Sequence, residues 1–150
     1  MPRLHSITHT IDGRNEIIRA AARVAHEVNR AYCQVLGDDT QPSWDDADDW
    51  LRDSALIGVA AAISDREITP AAIHEQWKRK KLADGWVWGE TKDPERKLHP
   101  CLVESYADLP PSTRAKDVLF LASARAVADG WPEKLRETYT LIQKFDPPKT

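Results

Sequence analysis

The chain has 150 residues, a length that suits one domain, and a net charge of −3. This charge gives no bulk attraction to nucleic acid or to an anionic membrane surface. The chain begins without the apolar stretch of a signal peptide, and no apolar run approaches the roughly 20 residues that span a bilayer. We therefore expect a single domain over residues 1–150 of a cytoplasmic protein, with neither nucleic acid nor a membrane as its partner.

Helical spacing first appears after Asp12 and Gly13, whereas residues 4–9 favour a short strand. Apolar residues three and four apart form one stripe that ends at Gly37: Ile17, Ala21, Val24, Val28, Ala31 and Val35. A capping-box pattern at Ser43 and Asp46 predicts the start of a second helix. The pattern of the first 60 residues is therefore mainly helical.

The second half of the chain predicts three further helices. Thr69 and Pro70 open the first of these, which Gly85 closes. Another follows the Leu109-Pro110 pair, and the last one begins at Pro132 and is followed by a short tail. Short runs at residues 85–88 and 98–103, joined by a polar loop, favour an antiparallel ribbon.

Metal and nucleophile motifs are missing from the sequence. Cys33 and Cys101 are far apart, so we expect reduced and at least partly buried thiols. Two His-Glu dipeptides, at His26 and His74, echo each other on helices but lack the second histidine of a zinc-protease motif. The acidic run of residues 45–49 fits a first helical turn better than a cation site. The sequence therefore predicts no metal and no other cofactor.

The segment of residues 77–103 combines aromatic and basic side chains beside one loop. Trp86 and Trp88 are bracketed by glycines, and a period of two would place both indoles on one side of a strand. Bases outnumber acids over residues 77–100, giving a local charge of +3, from 7 bases and 4 acids, in an acidic chain. An aromatic face beside cations suits a flat, anionic ligand. Core packing is the alternative role for either tryptophan.

This segment and the residues on either side of it resemble the ryanodine-receptor repeat (RyR) domain family, in the stand-alone form of bacteria and phages. The residues that carry the resemblance are His74-Glu75-x-Trp77, Gly85-Trp86-x-Trp88-Gly89, Asp93, Lys97-x-His99-Pro100-Cys101-Leu102-Val103, Leu109-Pro110 and Arg114. Trp88 stands where the family usually has tyrosine. A weaker resemblance upstream extends the match to about residues 18–125. The resemblance and the helical patterns together imply an α+β domain that is mostly α. In it, about five helices pack with a small antiparallel ribbon of two or three strands.

The resemblance implies binding rather than catalysis, because RyR domains have no established enzymatic activity. Prokaryotic members have been suggested as sensors of nucleotide signals in conflict between bacteria and phages. We therefore expect a non-catalytic module for a small, nucleotide-like anion. Its predicted ligand-binding residues are Trp86, Trp88, Asp93, Arg96, Lys97, His99 and Arg114.

Two other functions stay open from the sequence. The same aromatic surface could serve protein interaction or formation of a homo-oligomer. A nucleotide-processing enzyme would use His99, Asp93 or Glu75 as its acid or base. His99 itself, held extended by Pro100, suits either a structural hydrogen bond or a ligand contact.

Overall fold

The computed structural model describes the backbone of residues 3–130 and the side chains of residues 16–130. Its elements in chain order are α1 (Arg3–Val35), α2 (Asp49–Ser64), α3 (Pro70–Ala83), β1 (Val87–Trp88), β2 (Leu98–His99), a 3-10 turn (Tyr106–Asp108) and α4 (Pro111–Gly130). The predicted mostly helical α+β class is confirmed. Four α-helices lie in the described part of the chain, and the fifth, predicted from Pro132, lies outside it.

Helix α1 starts earlier than the sequence patterns indicated. Its backbone is helical from Arg3, so the predicted strand at residues 4–9 is wrong. Asp12 and Gly13 lie within the helix instead of preceding it. A single glycine costs only about 1 kcal/mol in a helix interior, which a long helix can absorb.

The core lies where α1 packs against α4 and α2. Its buried cluster is Ala21, Ala22, Ala25, Val59, Ala62, Ile73, Leu121 and Ala124. The predicted stripe on α1 is therefore partly wrong: Ala21 is buried, but Val24 is 41% and Val35 83% exposed. Alanines let the helices approach closely and lose no side-chain entropy on burial. The small residues therefore occupy the inner face, and Val24 and Val35 are exposed.

The helix caps follow local side-chain chemistry. Thr69 caps α3 as predicted, since its hydroxyl accepts a hydrogen bond of 3.2 Å from the Ala72 backbone. Ser43 and Asp46 do bond to each other, at 3.0 Å, but they form a turn before the helix. Asp48 is the cap of α2, accepting from the Leu51 nitrogen at 2.8 Å. The second helix thus begins at Asp49, after the predicted capping pair.

The ribbon is parallel, which corrects the predicted antiparallel pairing. Val87 pairs with Leu98 and Trp88 with His99. The loop between them reverses direction twice, because Asp93 pairs antiparallel with Leu98, the first residue of β2, through two backbone hydrogen bonds of 2.9 Å. The second reversal uses Lys97, which has a φ of 55°. Two reversals return the chain to its original direction, and β2 places His99 next to α3.

Candidate functional site

The C-terminal turn of α3 brings a lysine beneath a tryptophan. Gly85 has a φ of 89°, a conformation that glycine adopts without strain, and it ends the helix as predicted. The chain then folds back, and the Trp86 nitrogen donates a 3.0 Å hydrogen bond to the Lys81 carbonyl. This turn fixes the Trp86 ring close to the Lys81 side chain.

Lys81 is enclosed by three indole rings. Its Nζ lies 3.8 Å from the centre of the Trp86 ring, 4.5 Å from that of Trp50 and 5.9 Å from that of Trp77. Such distances allow cation–π attraction. We call Lys81 and these three tryptophans the Lys81 cluster. Burial, followed by the positive charge of Lys92, lowers the pKa of Lys81 to about 8.

Lys80 is the second cation beside Trp50. Its Nζ is 4.7 Å from the centre of the ring and donates a hydrogen bond of 3.2 Å to the Trp50 carbonyl. Lys78, earlier on the helix, lies elsewhere, 3.7 Å from Glu75. The basic run of α3 therefore directs two of its side chains to one aromatic surface, since consecutive positions point around the helix.

His99 extends the aromatic cluster towards the strand. Its ring centre lies 4.9 Å from that of Trp77 and 6.1 Å from that of Trp86. Its Nδ1 accepts a hydrogen bond of 3.1 Å from the Cys101 backbone. Burial, followed by the charges of Lys92, Lys81 and Lys116, lowers the pKa of His99 to about 3. The imidazole is therefore neutral near pH 7 and bonded to its own loop.

A buried histidine lies behind this surface. His74 is 4% exposed, its Nε2 is 3.0 Å from the Cys101 carbonyl, and its Nδ1 is 3.7 Å from an oxygen of Asp117. Burial lowers the pKa of His74 and raises that of Asp117 to about 6. Burial also raises the pKa of Tyr106, whose ring centre is 5.5 Å from that of His74, to about 12. This group joins α3, α4 and the loop after β2.

The structure brings together only part of the predicted site. Trp86 and His99 meet in the ring contacts above, and Lys97 joins them through Asp84. Lys97 Nζ donates a hydrogen bond of 2.6 Å to the Asp84 carbonyl, and Trp86 Nε1 donates one of 3.2 Å to the Asp84 carboxylate. Three predicted residues therefore share one border of the cluster.

The other four predicted residues lie apart from these ring contacts. Trp88 is 57% exposed, so the two indoles do not share one packed face. Asp93 accepts hydrogen bonds from the Glu95 and Arg96 nitrogens, and the Arg96 side chain is 81% exposed. Arg114, in the first turn of α4, has a buried Nε with no hydrogen-bond partner among the described residues.

The loop before β2 borders an open depression lined by residues 90–96 and Leu98. Asp93 and Arg96 belong to its lining, but no tryptophan does. The described tryptophans therefore do not form the walls of this depression. An exposed Trp88 and a half-buried Trp86 replace the single aromatic face that the spacing predicted.

Sequence reasoning missed Trp50, Lys81 and Asp117 as members of these groups. Trp50 comes from α2 and lies next to α3 only in the folded chain. Lys81 had a usable signal, because it stands in a basic run just before the Gly85-Trp86 turn. Asp117 had no such signal in the sequence, because a single carboxylate on a helix does not show whether it is buried.

Cys33 is buried and Cys101 half-buried, and both are free thiols, as predicted. Among residues 16–130, no group of three or more histidine, cysteine or acidic side chains is arranged to hold a metal. No helix among the described residues is both long and apolar enough to cross a bilayer.

Comparison with known proteins agrees with the motif that surrounds the cluster. Residues 64–124 match the family model of the RyR domain, a range that holds α3, the ribbon and most of α4. It includes Lys81, Trp86 and His99, whereas Trp50 lies before it. No solved structure matches the fold significantly. Over residues 64–124, this match confirms the resemblance to the RyR domain family that the motif predicted.

Proposed function

We propose that the protein is a non-catalytic module that binds a small, nucleotide-like anion at the Lys81 cluster. The observation that carries this proposal is the position of the Lys81 ammonium among three indole rings, 3.8 Å from the nearest ring centre. Indole rings offer a large, rigid contact area to a flat base. The ammonium provides an opposite charge for the anionic part of the same ligand.

The surrounding charge supports an anion in particular. Lys92 and Lys97 lower the pKa of Lys81 against the opposite effect of Asp84 and Asp48, and Lys92, Lys81 and Lys116 lower that of His99. These shifts mean that several positive charges act on one small region of the molecule. An anion bound there would reduce their mutual repulsion.

The predicted ligand-binding residues take different places in this proposal. Trp86, Lys97 and His99 border the ligand itself. The exposed side chains of Trp88 and Arg96 lie where a longer ligand could reach them. Asp93 shapes the loop through its hydrogen bonds to the backbone, and Arg114 lies in the first turn of α4, apart from the rings.

A catalytic role is not part of the proposal. A general acid or base works best when its pKa is near the operating pH. The pKa of His99 is about 3, so this residue does not exchange protons readily at neutral pH. Asp93 is engaged by two backbone nitrogens of its own turn.

Thermal unfolding with ligands tests the proposal. A ligand at about 100 times its Kd adds about 2.7 kcal/mol of stability. For a chain of this size that corresponds to a rise in Tm of roughly 5–10 °C. We expect such a rise with at least one of adenosine monophosphate (AMP), a cyclic dinucleotide or ADP-ribose.

Two variants test whether the rise in Tm comes from a ligand bound at the Lys81 cluster. Trp86→Ala should abolish it in a folded protein, and Lys97→Ala should weaken it and lessen its salt dependence. The control is Arg79→Ala, which removes an exposed cation from the same helix and should leave the rise unchanged. The proposal is wrong if none of the three ligands raises the Tm at millimolar concentration.

A second function has its own supporting observation. Three large apolar side chains near β1 are strongly exposed: Leu82 at 46%, Val87 at 52% and Trp88 at 57%. Neighbouring exposed apolar residues are typical of protein interaction surfaces. If the protein is a dimer in sedimentation and Trp88→Ala converts it to a monomer, while no nucleotide shifts the Tm, the interaction module replaces the ligand-binding module.

A further inference from the structure

We propose that Lys81 is the residue that binds the ligand's anionic group, and that in the free protein its ammonium occupies the indole faces that the ligand's ring takes over. This inference rests on the proposed function and deepens it. It makes Lys81 an internal occupant of the site, which moves from the rings to the anion when the ligand binds.

The contacts of the two neighbouring lysines support this role. Lys80 Nζ is anchored by a hydrogen bond of 3.2 Å to the Trp50 carbonyl. Lys81 Nζ, in contrast, donates no hydrogen bond within the described residues, and its close partners are the rings of Trp86 and Trp50 at 3.8 and 4.5 Å. Cation–π contacts are weaker than a charge-assisted hydrogen bond. The ammonium can therefore exchange them for an anion with a gain in binding energy.

The charged groups around Lys81 leave that ammonium incompletely balanced. Asp84 and Asp48 favour the charged form, whereas burial, Lys92 and Lys97 favour the neutral form. The balance lowers the pKa of Lys81 to about 8. A bound anion would raise this pKa again, because an opposite charge favours the charged form. Binding just above pH 8 should therefore take up a proton.

The geometry also narrows the class of ligand. Because Lys81 Nζ lies directly against the indole rings, a ligand that contacts both must carry its anionic group close to its flat ring. A nucleoside monophosphate has this arrangement, whereas the corresponding nucleoside has the ring without the charge. Lys81 would thus let the site distinguish a nucleotide from a nucleoside.

Calorimetric titration with AMP and adenosine tests the inference. Lys81→Gln should weaken AMP binding about 10- to 100-fold, the effect of losing one hydrogen bond to a charged group, and should leave adenosine binding equal or tighter. The control Arg79→Gln removes a neighbouring exposed cation and should change neither affinity. At pH 8.5, where the phosphate of AMP is already fully ionised, the wild-type protein should take up protons on binding AMP.

The outcomes separate this inference from the function on which it rests. If wild-type protein binds AMP without proton uptake at pH 8.5, or Lys81→Gln weakens AMP and adenosine equally, the role of Lys81 is wrong and the proposed binding function stands. If wild-type protein binds neither AMP, a cyclic dinucleotide nor ADP-ribose, both are wrong. The proton measurement uses the unaltered protein, so it decides the matter even if Lys81→Gln fails to fold.

Discussion

The two buried histidines, His26 and His74, perform the same structural task. His26 Nε2 lies 2.8 Å from the Pro42 carbonyl, and His74 Nε2 lies 3.0 Å from the Cys101 carbonyl. Each ring thus ties a helix to a loop that contains a proline. Satisfying a buried carbonyl in this way avoids a cost of about 1–3 kcal/mol. The sequence showed the repeated His-Glu dipeptide but not its partners, because these lie 16 and 27 residues away.

Two tryptophans of the RyR segment should differ sharply in their contribution to stability. Trp77 is half-buried, and its ring centre lies 5.3 Å from that of His74 and 4.9 Å from that of His99. Trp77→Ala should lower the free energy of unfolding by about 3–5 kcal/mol, as for other large aromatic deletions. Trp88→Ala, at an exposed position, should change it by less than about 1 kcal/mol. Urea melts would contradict this assignment if the two variants lost equal stability.

At the scale of elements, the helix ends at Gly37 and Gly85 and the cap at Thr69 were predictable because a single residue determines each. The direction of the ribbon could not be predicted, since it depends on two chain reversals. One of these places Lys97 at a φ of 55°, a conformation that sequence patterns assign to glycine or asparagine. The buried face of α1 was also ambiguous, because its alanines and its valines both recur at helical spacing.

The parallel pairing makes Gly89 a position that no larger residue fits. A Cβ added there would lie 2.6 Å from the Leu98 Cβ, an atom close to the backbone that cannot easily move away. We expect Gly89→Ala to lower the free energy of unfolding by about 1–3 kcal/mol through overpacking. The matched control is Gly130→Ala, where the added atom meets nothing within 4 Å. Equal urea midpoints for the two variants would mean that β1 and β2 do not pack as described.

At the scale of the whole molecule, the net charge of −3 hides a separation between an acidic and a basic region. The sequence indicated the basic, aromatic segment because its residues are close along the chain, although only Trp86, Lys97 and His99 of the predicted residues meet beside Lys81. It could not predict that Trp50, which follows the acidic run of residues 45–49, would lie against Lys81. That contact depends on how α2 packs against α3, and helix packing leaves little signal in the residues themselves.

The same packing keeps His99 and His74 neutral, which should make the protein sensitive to acid. In the unfolded chain a histidine has a pKa of about 6.5, whereas burial lowers that of folded His99 to about 3 and lowers that of His74 as well. The unfolded state therefore binds more protons between these values. The stability that neutral His99 contributes is complete above pH 6.5 and is lost as the pH falls towards 3. Asp117 acts in the opposite sense, because its raised pKa of about 6 favours the folded state at low pH.

A variant separates these two effects. His99→Asn keeps an acceptor near the Cys101 nitrogen but carries no titratable group. Between pH 7.5 and 4.5 the wild-type free energy of unfolding should fall by about 2.7 kcal/mol more than that of the variant, since one proton is linked over the roughly two pH units below 6.5 and is worth about 1.4 kcal/mol per pH unit. Asp117→Asn should steepen the fall instead, because it removes the opposing group. Parallel pH profiles for wild type and His99→Asn, measured by urea unfolding, would show that His99 is not held neutral by the aromatic cluster.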